Sequence, residues 1–123
     1  NQGSSNICAV VRKSGPSISE YSRITYETGT TKKGTLLIRL VPSSGRGICG
    51  DEWYPVHDLL EFLDAAGNTF CSGALKEVFS DESNNNAGFM LAALWNEGYV
   101  ELLPGQGPWR PHVPRYFRVV NSW

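Results

Sequence analysis

Leu91-Ala92-Ala93-Leu94-Trp95-Asn96-Glu97-Gly98-Tyr99-Val100-Glu101-Leu102 holds the change of pattern on which the fold turns. Ala87, Met90, Leu91, Leu94 and Trp95 recur every three or four positions, as on the buried stripe of a helix. Gly98 then offers a left-handed stop, and Tyr99 to Leu103 is strand-like. Working backward, Ser83 or Asn84 can cap this helix, and Ser72 can cap a short one whose apolar side is Leu75, Val78 and Phe79. Before them Val56, Leu59, Leu60, Leu63 and Ala66 mark a first helix that opens at Pro55 and closes at Gly67. Working forward, Pro104 to Pro114 is too rich in proline and glycine for regular structure, and Arg115 to Val120 alternates as a returning strand. From Trp53 to Val120 the expected order is helix, helix, helix, strand, loop, strand.

The first half has a different period. Ile7 to Val11 is a short β-prone run that meets turn chemistry at Arg12-Lys13-Ser14-Gly15-Pro16. Tyr21 to Glu27 alternates, with Ile24 and Tyr26 facing one way and Arg23 and Thr25 the other. Thr35 to Val41 repeats this, with Leu36, Ile38 and Leu40 opposite Leu37 and Arg39. The loop between them holds Lys32 and Lys33, which predicts a β-hairpin with a basic tip. Pro42 to Gly47 then breaks the sheet.

At 123 residues, 41% of them hydrophobic, the chain fits one compact domain: a strand and hairpin region over 1–50 and a helical region over 51–123. No apolar run reaches the roughly 18 residues needed to span a bilayer, so no membrane partner is expected. The start has neither a basic n-region nor an initiator Met, the mark of a processed product or an excised piece. Cys8, Cys49 and Cys71 include no Cys-x-x-Cys pair, which favours a reduced intracellular protein, cytoplasmic or nuclear, with each thiol a small buried hydrophobe. A secreted form bridging Cys49 and Cys71 stays open.

Net charge is −1, but it is unevenly spread. Residues 1–50 carry seven basic side chains against Glu20 and Glu27. Residues 51–109 set ten acids against Lys76 alone, and 110–123 add Arg110, Arg115 and Arg118. The helices are acidic and the flanks basic.

The helix order and the passage of the third helix through Gly98 into a hairpin resemble the winged helix-turn-helix family over about 70 residues, 53 to 120. The resemblance implies an α+β fold, a winged helix-turn-helix of three helices and a C-terminal β-wing, here preceded by an N-terminal β-hairpin. It implies that Gly73 to Ser80 is the positioning helix and that Asn84 to Asn96 lies in the major groove, with Asn84, Asn85, Asn86 and Phe89 facing bases. The third helix departs from the family in having no Lys or Arg, so phosphate contacts fall to Arg110, Arg115 and Arg118 in or beside the wing and to Lys32 and Lys33 on the hairpin. Trp109, beside Arg110, can enter a minor groove or stack on an unpaired base.

The function expected is therefore binding of nucleic acid, DNA more than RNA, as a regulator or as the recognition part of a larger protein. The acidic helices motivate a second reading, a protein-interaction module, and the cysteines a distant third, a secreted effector or toxin. Catalysis is not expected. His57 and Asp58 are neighbours on one helix and point about 100° apart, and His112 has only Cys49 and Cys71 as metal companions, at irregular spacing. Phosphate-loop, dinucleotide and nucleophile-elbow motifs are absent from the sequence, so no cofactor or metal is expected.

Overall fold

Alternation from Arg23 to Val41 sets the platform on which the rest of the chain packs. The computed structural model describes residues 7–41, 53–75, 78, 85–111 and 113–120. Strands β1 (Ile7–Pro16), β2 (Arg23–Thr31), β3 (Leu36–Val41) and the two-residue β4 (Tyr54–Pro55) form an antiparallel sheet in the order β1-β2-β3-β4. Because side chains alternate across a strand, this register sorts them into two faces. Ile24, Tyr26, Ile38 and Leu40 lie on the inner face, all buried. Arg12, Glu27 and Arg39 stand directly opposite one another on the outer face.

Helices α1 (Val56–Ala66) and α2 (Asn85–Glu97) cover the inner face, and β5 (Val100–Leu102) pairs antiparallel with β6 (Phe117–Val119). One core cluster joins Ile24, Tyr26 and Ile38 of the sheet to Leu59, Leu60 and Leu63 of α1, Met90, Leu91 and Leu94 of α2, Val100 and Phe117. Ala92 and Ala93 are 0% exposed as well, so the middle of α2 is buried on almost every side. At its end Gly98 takes φ 88° and the Gly98 and Tyr99 amides return to the Trp95 and Leu94 carbonyls, which closes the helix and turns the chain into β5. No helix among the described residues is long and apolar enough to cross a membrane.

The three-helix winged architecture expected from the sequence does not form. The described chain has two α-helices and two sheets, and the segment read as the second helix contains one 3₁₀ turn, Ser72–Leu75. The physical reason lies in the first half. Its inner sheet face supplies apolar surface, and the helices bury their stripes against that sheet instead of building a separate trihelical core. Two local readings also change. Strand β1 continues to Pro16 instead of turning at Arg12, because Arg12, Lys13 and Ser14 pair with Glu27, Tyr26 and Thr25, and an edge strand tolerates a terminal proline. Pro55 precedes the first helical turn as an extended cap at φ −63°, ψ 127°, pairing with Leu37.

Candidate nucleic-acid interface

The outer face of the sheet collects cations that the sequence scatters. Arg12 donates through Nε and Nη2 to Oε2 of Glu27 at 3.1 and 2.9 Å, and Arg39 approaches Oε1 at 2.8 Å. Two guanidiniums thus share one carboxylate, leaving a net positive charge at the centre of the face. Burial alone would raise the Glu27 carboxyl, but the hydrogen bonds and charges of Arg39 and Arg12 outweigh it and hold it below the ordinary carboxylate range. The Arg39 guanidinium also lies 4.8 Å over the ring of Trp53. Arg23 is an even number of residues from Glu27 and so shares this face, its Nη2 reaching the Ser14 hydroxyl at 3.5 Å. Side-chain exposure is 63% for Arg12 and 29% for Arg39, so Arg12 is the more open of the two to solvent.

Each end of β2 carries further candidate groups. At one end Lys32 and Lys33 occupy a turn closed by the Gly34 amide to the Thr31 carbonyl at 2.9 Å, and both are exposed. At the other, the β1–β2 connection brings Tyr21, 79% exposed, edge-on to Trp109 with centroids 5.5 Å apart. Arg110, next to Trp109, is exposed and its strand bridge to Val113 steadies the loop. At about 3.4 Å per residue the two ends of β2 are roughly 27 Å apart.

Arg115 fixes the aromatic end. Its side chain is 8% exposed and donates through Nη1 to the Glu20 carboxylate at 2.6 Å and the Ile18 carbonyl at 3.1 Å, and through Nη2 to the Gly107 carbonyl at 3.3 Å. One guanidinium therefore ties the β1–β2 connection to the 103–116 loop, which carry Tyr21 and Trp109 respectively. Gln106 adds bonds to the Leu103 and Tyr116 carbonyls and accepts from the Tyr116 amide.

The structure separates the residues expected to bind. Lys32 and Lys33 follow one end of β2, and Trp109, with Arg110 beside it, meets Tyr21 before the other end. Arg115 is buried and bonded to Glu20, Ile18 and Gly107, and Arg118 pairs with Glu101 across the β5–β6 ribbon. Phe89 is half-buried against the core, on the helical layer behind the sheet. Asn84 lies outside the described residues, and Asn85 and Asn86 open α2 with side chains outside the description. Arg12, Arg23, Arg39, Tyr21 and Trp53 were missed as site residues. Their signal was the same alternation that located the core, since Arg23 and Arg39 fall opposite the apolar positions.

The opposite layer is acidic. Asp58, Glu61 and Asp64 are exposed along α1, while Glu97 is held by Lys13 at 2.9 Å and by the Tyr26 hydroxyl at 2.6 Å. That hydroxyl, buried and donating to a carboxylate, is pushed well above the ordinary phenol range. Cys8 is exposed and Cys71 half-buried, both as free thiols, so Cys8 is not the buried hydrophobe expected; Cys49 and His112 lie outside the described residues. Among the described residues no three His, Cys, Asp or Glu side chains gather as a metal-binding group. No family profile, curated protein or solved structure matches this chain.

Proposed function

We propose that the protein binds single-stranded nucleic acid across the outer face of its four-stranded sheet. The observation that carries this reading is the segregation of charge between the two layers among the described residues. Arg12, Arg23 and Arg39 stand on the sheet, Lys32 and Lys33 follow one end of β2, Arg110 lies beside Trp109 near the other, and the exposed acids Asp58, Glu61 and Asp64 stand on the helix behind the sheet. A strand's phosphates follow the cations while Tyr21 and Trp109 offer rings for unstacked bases. The helix expected to read duplex lies in the layer away from these cations, with Phe89 half-buried against the core, and this favours the sheet as the binding face.

The test is titration of labelled single-stranded DNA, RNA and duplex at two salt concentrations. Four cations outside the Glu27 cluster, Lys32, Lys33, Arg23 and Arg110, meeting about four phosphates give a log–log salt slope near −3, or about a 50-fold loss between roughly 50 and 200 mM salt. Arg23→Ala with Arg110→Ala should weaken all sequences alike, and Tyr21→Ala should weaken single strands more than duplex. Absence of binding to every nucleic acid at low salt defeats the reading. A protein-interaction role is the second reading, favoured by the acidic stripe on α1 and by Val113 and Tyr116, 55% and 43% exposed in the proline-rich loop.

A further inference from the structure

Between the β2–β3 turn and the start of α1 lies a half-open depression of about 520 Å³, within the size range of small-ligand sites. Leu36, Pro55, Val56 and Tyr99 wall it, so most of what it offers a ligand is apolar, with one aromatic ring. Burial first, and then the charge of Glu97 set against that of Lys13, push the Tyr99 phenol above the ordinary range, so the ring is an uncharged wall at neutral pH. Polar groups are few. His57 is directed along α1 to Glu61 at 3.4 Å, and Thr35 is exposed on the hairpin side. Asp58 brings an exposed carboxylate to the lining, and no cation among the described residues lies within ion-pair distance of it.

We infer that this depression binds an arylalkylamine, an aromatic ring joined by a short carbon chain to a protonated primary amine. The ring lies against Tyr99 and Leu36, and the ammonium donates to the Asp58 carboxylate, a charge-assisted contact that fixes which end points to α1. A bare metal ion does not fit, because one carboxylate among apolar walls falls far short of the roughly six oxygen ligands that a hard cation takes. A neutral ring would leave Asp58 unmet, and an anionic one would be repelled by it. The depression shares no lining residue with the cations and rings proposed to bind a strand, so the two readings stand or fall separately.

Backbone amide resonances of the ¹⁵N-labelled protein in about 0.15 M salt, followed during titration with tryptamine, tryptophol and indole-3-propionate, test it. The three share a bicyclic ring and a short chain, and differ in ending positive, neutral or negative. Tryptamine should shift Thr35, Val56, Asp58 and Tyr99 saturably, and each of the others should bind at least about tenfold more weakly. Asp58→Asn should weaken tryptamine about tenfold while leaving tryptophol within about twofold, whereas Asp64→Asn, on the same helix but outside the lining, should leave tryptamine within about twofold. Thr35→Trp, at an exposed lining position, should abolish the tryptamine shifts while leaving single-strand affinity within about twofold, which separates this site from the sheet face. No saturable shift by about 10 mM tryptamine overturns the inference. So does indole-3-propionate or tryptophol binding as tightly as tryptamine, or an Asp58→Asn variant that binds tryptamine as tightly as the parent.

Discussion

A carboxylate only 6% exposed in the second strand of a sheet costs free energy unless cations meet it, and Glu27 is met by two. Its folded pKa lies below the ordinary value, so it contributes stability that is present above about pH 4.3 and is lost as pH falls through the lowered folded value. The urea midpoint should therefore hold between neutral pH and about 5 and decline in more acid solution. Glu27→Gln should lower stability by about 2 kcal/mol at neutral pH, a figure moderated by the exposure of Arg12, and the gap from the parent should narrow in acid. A gap independent of pH would show that packing, not charge, is what the carboxylate supplies. Gly15 is a second single-residue dependence. A Cβ there would fall on Asn96, whose Nδ2 donates to the Pro16 and Ala92 carbonyls at 3.0 and 2.7 Å, so the side chain must give up these bonds to move aside. Gly15→Ala should cost about 1–3 kcal/mol, read as a fall of several degrees in Tm.

Among the elements, the loop holding Trp109 depends on a side chain that the sequence pointed toward nucleic acid. Arg115→Ala removes the fork that serves Glu20, Ile18 and Gly107, and should cost about 2 kcal/mol while freeing Trp109 from Tyr21, seen as a change in near-ultraviolet circular dichroism. Arg115→Lys should rescue little, because a single ammonium cannot reach three oxygens in that fork. If Arg115→Ala leaves stability and the aromatic signal unchanged but abolishes strand binding, the residue is a contact and not a support. This example marks the limit of legibility. Periodicity located the 23–41 hairpin, the apolar stripe of α1 and the Gly98 stop, because each is a local pattern. It could not show that Glu20, 95 positions from Arg115, would claim that guanidinium, or that Arg12 would extend β1 by pairing with Glu27. The same blindness produced the winged-helix expectation, since helix order alone does not say which surface buries the stripes.

At the scale of the molecule, the described cations of the sheet and the described acids of α1 lie in different layers, and their separation decides how those acids affect a strand on the far side of the sheet. With a layer spacing of about 10 Å and a helix about 10–12 Å across, acids on the solvent side of α1 lie roughly 20 Å from a strand on the outer face, well beyond the Debye length of about 8 Å at physiological ionic strength and inside about 30 Å at 0.01 M. Reversing Glu61→Lys and Asp64→Lys moves the net charge from −1 to +3 without touching the outer face. Strand affinity should then rise several-fold at about 0.01 M salt and change less than about twofold at 0.15 M, because the added field is long-ranged and screened. A protein partner docked on the acidic stripe predicts the opposite pattern: its complex weakens on reversal at both salts, since contact charges are lost, while strand binding stays absent throughout. Measuring the double variant at both ionic strengths separates a distant field from a direct contact, and with it the two readings of the molecule.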